Sequence, residues 1–208
     1  MKKKTASFVL ACAIGSLCGC GAVPSMKYYQ ISAPNSPPAP ATAATLPLTL
    51  VVAPLRGSPL YQDDRLIYAT SSEAMGAYEH QRWAQAPTQM IQDVIVRTLR
   101  ESGHYRTVEE LSGSSRGNFI LRGSLYDFKE VSGGTLSARV TLNMDLRDVK
   151  TGATVWTHYY THDEPVAHDD VPSVVAALNR NVHQAVGEIS SSLQRYLDEY
   201  SATDQPQP

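Results

Sequence analysis

Between residues 136 and 146 apolar and polar side chains alternate without a break. Leu136, Ala138, Val140, Leu142, Met144 and Leu146 hold the even positions, and Ser137, Arg139, Thr141, Asn143 and Asp145 the odd ones. Successive side chains of a strand point to opposite faces, so a period of two specifies a strand with one dry and one wet face and excludes a helix over the same stretch. Phe119–Val131 precedes it across Ser132-Gly133-Gly134, and residues 153–162 follow it across Lys150-Thr151-Gly152. The three are predicted to form an antiparallel meander whose turns supply glycine where φ must be positive. A one-sided sheet needs cover. The last helix is predicted to provide it, capped by Asp170, with Pro172 in its first turn and Val171, Val175, Leu178, Val182, Ala185, Ile189 and Tyr196 on one stripe.

Upstream, residues 48–55 read as a buried strand, 64–71 and 77–85 as two more around a Ser/Glu/Gly turn, and 105–109 as a short one. Pro87 fits the first turn of a helix with Ile91, Val94, Ile95 and Thr98 on one face and Gly103 as its left-handed stop. The predicted fold class is α+β: a mostly antiparallel sheet ending in a three-strand meander, with two main helices packed on one face. Residues 201–208 read as a disordered tail.

The first twenty residues read as an address. Lys2, Lys3 and Lys4 precede an apolar run over residues 5–16, too short for the roughly 20 residues that span a bilayer. Leu17-Cys18-Gly19-Cys20 then looks like a bacterial lipobox, with Leu at −3, a small residue at −1 and the cysteine that receives the lipid. Cys12 would cut the apolar run to seven residues, and Cys18 has the bulky Leu17 before it, so Cys20 is the predicted attachment site. An ordinary secretory signal with incidental cysteines is the competing reading. Gly21 rather than Asp at +2 favours the outer membrane, by likeness to sorted lipoproteins of double-membraned bacteria.

This divides the chain into a signal peptide (1–19), a lipidated N-terminus with a proline-rich tether or loop (20–47), a folded domain (48–200) and the tail (201–208). Five prolines between Pro34 and Pro47 make a stiff segment that, fully extended, spans roughly 40 Å at about 3.1 Å per residue. If Tyr28-Tyr29-Gln30-Ile31 joins the main sheet instead, the tether shrinks to residues 21–27 and the domain sits close to the membrane.

Charge and cysteine placement exclude several functions. Without the first 19 residues the chain carries 15 basic against 20 acidic groups, a formal −5, and no run of cations, which argues against a nucleic-acid partner. All three cysteines, Cys12, Cys18 and Cys20, precede the folded part, which leaves it without a disulfide or a thiolate metal site.

Three patterns invite chemistry. Gly113-Ser114-Ser115-Arg116-Gly117 matches G-x-S-x-G, but a strand follows it where a nucleophile elbow needs a helix, so Ser115 reads as a turn serine. His158, His162 and His168 lie among Asp163, Glu164, Asp169 and Asp170. On a strand the first two histidines share a face but stand roughly 13 Å apart at about 3.3 Å per residue, too far to share one ion. The pairs Asp63-Asp64, Glu109-Glu110 and Asp169-Asp170 fall at element edges, where turn and cap roles account for them. Tyrosine supplies 11 aromatic residues against 2 Trp and 3 Phe, a composition that suits contact surfaces. Tyr68, Tyr126 and Tyr196, with Trp83 and Trp156, are assigned to the core.

The lipobox, Tyr28-Tyr29-Gln30-Ile31, the strand at 48–55, Leu60-Tyr61-Gln62-Asp63-Asp64-Arg65-Leu66-Ile67-Tyr68 and Arg82-Trp83-Ala84-Gln85-Ala86-Pro87 line up with a family. Over residues 28–200 the chain resembles the ABC-type transport auxiliary lipoproteins, the PqiC-like family. The resemblance implies a lipid-anchored, periplasm-facing auxiliary component that works with an MCE-domain protein and ABC transporter components to move lipids or other hydrophobic molecules between the inner and outer membranes. It implies docking rather than turnover: no enzyme activity, no catalytic, metal or cofactor residue, and Cys20 as the one residue that carries over. Self-association as a homo-oligomer fits the same picture, and exposed strand edges with the region 61–78 are the expected contact surface for docking. The alternative is an assembly or secretion-associated structural lipoprotein of the outer membrane.

Overall fold

A computed structural model of the chain describes residues 25–32 and 45–203. Among them are β1 (Lys27–Tyr29), β2 (Leu46–Val52), β3 (Arg56–Gly57), β4 (Arg65–Ala69), β5 (Met75–Trp83), α1 (Pro87–Glu101), β6 (Tyr105–Glu110), β7 (Phe119–Val131), β8 (Ser137–Asp148), β9 (Thr154–Pro165) and α2 (Val171–Thr203). A short 3-10 turn, Pro59–Tyr61, lies between β3 and β4.

The nine strands form one sheet around β7. Along one edge of β7 the chain lays β2, β3 and β4 in succession, all parallel to it, pairing at Phe119–Leu121, then Ser124 and Leu125, then Glu130 and Val131. Along the other edge β8 pairs antiparallel over nearly the whole length of β7, and β9 pairs antiparallel with β8. β5 is antiparallel to β4, while β1 joins β5 and β6 joins β2 in parallel. The expectation of a mostly antiparallel sheet is therefore corrected: the sheet is mixed, and five of its eight pairings are parallel. The cause is the path of the chain. β2, β3 and β4 are consecutive short pieces running one way, interrupted at Pro54 and at the 3-10 turn, and the chain returns to β7 through α1 rather than by a hairpin.

The period of two on β8 is written into its burial. Ala138, Val140, Leu142, Met144 and Leu146 are at most 1 % exposed. The opposite face is less wet than the pattern predicts, because β7 and β9 flank β8 on both sides and their side chains cover it. Thr141 is buried, and Arg139, Asn143 and Asp145 are half-buried. Arg139 Nε and Nη2 both donate to the Asp163 carboxylate at 2.6 Å, Thr141 and Thr161 hydroxyls meet at 2.9 Å, and Thr157 Oγ1 donates to Asp145 at 2.9 Å. Such cross-strand pairs stabilise a sheet by roughly 0.2–1 kcal/mol each.

Of the two turns, only Gly152 takes positive φ, at 73°. Gly133 is needed for a different reason: a Cβ there would come within 2.8 Å of the Thr70 carbonyl oxygen, because the turn packs on the end of β4.

α1 opens at Pro87 and stops at Gly103, φ 63°. Ile91, Val94 and Ile95 are buried as predicted, but Leu99 rather than Thr98 completes the stripe. α2 is capped by Asp170, whose Oδ1 accepts the Ser173 N–H at 2.7 Å. Its buried face runs from Val174 through Leu178, Val182, Ala185 and Ile189 to Leu197, over β8 and β9 and against α1, while Val171, Val175 and Tyr196 are half-buried. The helix continues to Thr203, so residues 201–203, predicted as tail, are helical; Thr203 Oγ1 donates to the Glu199 carbonyl at 2.9 Å.

At the other end of the chain, β1 pairs with β5 through Lys27–Gln81, Tyr28–Arg82 and Tyr29–Trp83. Of the two arrangements left open by the sequence, the segment takes its place in the sheet. β2 begins at Leu46, earlier than predicted, and takes in Pro47; its pairing with β6 is irregular between Leu46 and Thr49, where a proline lacking an N–H cannot continue a ladder. Pro34, Pro37, Pro38 and Pro40 lie outside the described residues. Among the described residues no helix is long and apolar enough to cross a membrane.

Candidate functional site

The residues singled out by sequence come to different fates. Cys20 lies outside the described residues. Ser115 sits on the loop between β6 and β7, where its Oγ donates to the Glu110 carbonyl at 3.1 Å and accepts the Ser112 N–H at 2.9 Å. Those bonds build a turn. His158 and His162 flank Tyr160 on β9; the His158 ring stacks on Trp156 at 5.8 Å, and His162 Nε2 stands 3.5 Å from Glu164. Among the described residues no three His, Cys, Asp or Glu side chains are grouped to hold a metal ion.

The tyrosines need two corrections. Tyr61, expected on a contact surface, is 2 % exposed and belongs to the core. Tyr126, expected in the core, is 56 % exposed: it lies on the face opposite the buried Leu121 and Leu125 and is the residue left unpaired where β7 shifts register between Leu125 and Asp127. Tyr68 and Tyr78 meet edge-on at 5.2 Å between ring centres, and the Tyr78 hydroxyl donates to Glu130 Oε2 at 2.6 Å. Burial, and then the Glu130 carboxylate, raise the Tyr78 hydroxyl well above the ordinary phenol range. Of the hairpin only Met75, 50 % exposed, presents a large apolar side chain.

Two arrangements had no sequence prediction. One is buried. Asn181 interrupts the apolar stripe of α2 with 0 % exposure. Its Oδ1 accepts the Tyr160 hydroxyl at 2.6 Å, and its Nδ2 donates to the Ala138 and His162 carbonyls at 2.8 and 2.9 Å. The sequence carried a signal for it, a single amide among Leu178, Val182 and Ala185.

The other is an open cleft of about 820 Å³ between β3, β7 and β8. Arg56 enters it from β3, which pairs at Ser124 of β7; Ile120 and Arg122 enter from β7, and Arg147 from β8, directly across from Ile120. Leu55 and Leu111 supply apolar wall, and Thr88 in the first turn of α1 closes one side. Gly57 lets that wall approach, since a Cβ there would meet Thr88 Cγ2 at 2.8 Å. A second hollow of about 430 Å³ shares Leu111 and Ile120 and adds Val51, Arg116 and Val149.

Among the described residues, no acidic residue lines either hollow. Among the described residues, no carboxylate stands within ion-pair distance of Arg56, Arg116, Arg122 or Arg147, nor of Arg97, Arg106 or Arg195, whereas Arg65, Arg82, Arg100, Arg139 and Arg180 each have one. Asp145, the cross-strand neighbour of Arg122, is instead held by Thr157 and Asn143. Arg116 donates only to the Ser115 carbonyl, at 3.3 Å. These arginines are scattered through the sequence, so only the fold assembles them.

A family profile described as ABC-type transport auxiliary lipoprotein component matches residues 29–190. The crystal structure of protein XCC0632 from Xanthomonas campestris, of the family DUF330, is similar with a TM-score of 0.75 and 20% identity, covering 85% of this chain and 99% of that one. A further crystal structure, of an uncharacterized protein, is similar with a TM-score of 0.65 and 15% identity, over 82% of this chain and 99% of the other. These likenesses show a shared fold. No curated protein matches the chain. The profile runs from β1 past the middle of α2, across the sheet and both helices, and the chain belongs to the ABC-type transport auxiliary lipoprotein component family.

Proposed function

We propose that this protein is an auxiliary component of an MCE/ABC-type system that moves lipids or other hydrophobic molecules between the inner and outer membranes, anchored to the outer membrane through acylated Cys20 and facing the periplasm. It acts by docking on an MCE-domain protein or on the transporter itself, without turnover of its own. The observation that carries the reading is the family match over residues 29–190, joined to the leader that ends at Cys20.

The geometry supports a short stand-off. With β1 in the sheet from Lys27 onward, six residues, 21–26, separate Cys20 from the body, a reach of at most about 25 Å over seven steps of roughly 3.3–3.6 Å. Several acyl chains, at about 0.8 kcal/mol per buried CH₂, hold a protein on a bilayer where one chain alone does not. Confinement to one membrane raises the local concentration of the docking surface, so modest contacts suffice for a partner that spans the periplasm.

The test is extraction of the tagged full chain from membranes in mild detergent, with mass spectrometry of Cys20 and of co-recovered proteins. An acylated Cys20 and recovery of an MCE-domain or ABC component are expected. A bare thiol removes the anchor, and recovery of neither partner, together with unchanged lipid transport on deletion, removes the transport role.

A further inference from the structure

We infer that the cleft between β3, β7 and β8 binds an anionic amphiphile, with its phosphate or carboxylate on Arg122, Arg147 and Arg56 and its acyl chain along Leu111, Ile120 and Val149. Charge is the first argument. Outside the first 19 residues the chain is acidic overall, yet Arg56, Arg122 and Arg147 line this cleft and Arg116 the hollow beside it, with no carboxylate partner and no acidic residue in the walls among the described residues. Cations held close together repel one another unless an anion sits between them. Guanidinium stays charged at any ordinary pH and offers a planar fork that matches phosphate or carboxylate oxygens in pairs.

The apolar wall is the second argument, and it selects a lipid over a free ion. Leu111 and Val149 are 46 % and 48 % exposed, among the few large apolar side chains left open to water, and both border the hollow that continues the arginine cleft. A bare phosphate would leave that surface wet, whereas an acyl chain removes it from water. At about 820 Å³ the main cleft falls within the roughly 300–1,000 Å³ of small-molecule sites. Thr88, in the first turn of α1, borders the same space. The site stands on these residues alone; co-recovery of transporter components neither adds to it nor removes it.

The test uses the full acylated chain in a neutral detergent, read by native mass spectrometry. Three compounds are compared: lysophosphatidic acid, the monoacylglycerol with the same chain and no charge, and inorganic phosphate. The expected result is saturation by one lysophosphatidic acid per chain, with neither of the others retained at the same concentration. Arg122→Gln with Arg147→Gln is expected to weaken retention by about tenfold or more, since each lost bond is charge-assisted. Arg180→Gln with Arg195→Gln, the same charge change on α2, is expected to leave it unaltered. If the double variant in the cleft fails to fold, Arg56→Gln, an exposed side chain without an ion-pair partner, carries the test, with an expected loss of severalfold. Equal retention by the cleft variants, or retention of phosphate or monoacylglycerol as strong as that of lysophosphatidic acid, overturns the inference.

Discussion

The Tyr160 hydroxyl donates to Asn181 Oδ1 at 2.6 Å, and both residues are buried: Tyr160 is 4 % exposed and Asn181 0 %. This bond, with the two that Asn181 Nδ2 makes to the Ala138 and His162 carbonyls, fastens the middle of α2 to β8 and β9. Hydrophobic contact alone would let a helix slide or rotate on a sheet, while a buried amide with three partners admits one position.

Asn181→Ala is therefore expected to cost about 2–4 kcal/mol, because it opens a small void and leaves the Tyr160 hydroxyl without its partner in the core. Tyr160→Phe alone should cost about 1 kcal/mol, and the double variant less than the sum of the two, since the shared bond is lost once. Urea unfolding of the four proteins measures the coupling. Strict additivity would mean that the pair does not act as a unit.

Three tyrosines make the fold sensitive to alkali. Burial raises the hydroxyls of Tyr78, Tyr105 and Tyr160 above the ordinary phenol range; Glu130 adds to the shift at Tyr78, Asp198 at Tyr105, and Glu188 and Glu164 at Tyr160. A phenol whose folded value is raised keeps its proton after the unfolded chain has lost it. Stability is thus complete below the unfolded value of about 10 and falls as pH rises through and beyond it. The urea midpoint is expected to hold steady to about pH 9 and to drop above about pH 10, with tyrosinate absorbance of these residues appearing together with unfolding. Tyr160→Phe should make the drop shallower.

How far the sequence reached depended on the range of the interaction. The alternation on β8, Asp170 as a cap and Gly103 as a stop are local, decided within a few residues, and the structure has them where the pattern puts them. The direction of β2, β3 and β4 along β7 depends on how the chain travels between distant segments, and a period of two is silent about it. Tyr126 sits where the alternation that buries Leu121 and Leu125 gives way to the one that buries Phe128 and Glu130, and the sequence carries no mark of that change. Asn181 was visible as an exception in an apolar stripe. The arginine cleft was not, since Arg56, Arg116, Arg122 and Arg147 come from separate strands and a loop that meet only after folding.

Gly117 marks one such meeting. A Cβ there would lie 2.5 Å from Val51 Cγ2 and 3.1 Å from the Thr49 carbonyl oxygen, so the loop before β7 passes against β2 with no room for a methyl group. Gly117→Ala is expected to destabilise by about 1–3 kcal/mol. Adding Val51→Ala should return only part of that loss, because the backbone oxygen stays where it is. Thermal unfolding of the single and double variants checks both statements, and a neutral Gly117→Ala would show that the loop yields.

The last prediction concerns the tether. β1 is held by its pairing with β5, by the Ala84 N–H donating to the Tyr29 carbonyl at 2.6 Å, and by Ile31, 8 % exposed against the core. Ser32 N–H donates to Asn179 Oδ1 of α2 at 3.0 Å. The segment Lys27–Ser32 is thus part of the body, and residues 21–26 alone separate it from Cys20, the proposed lipid attachment site. A Gly/Ser insertion of about twelve residues after Gly21 adds a root-mean-square length of about 20 Å and leaves every contact of the fold in place. The thermal midpoint should be unchanged, while recovery of the proposed transporter partners should fall severalfold, because the docking surface is diluted into a larger volume. Undiminished recovery would mean that docking is strong enough to be independent of the stand-off, and that the insertion of β1 into the sheet serves stability rather than reach.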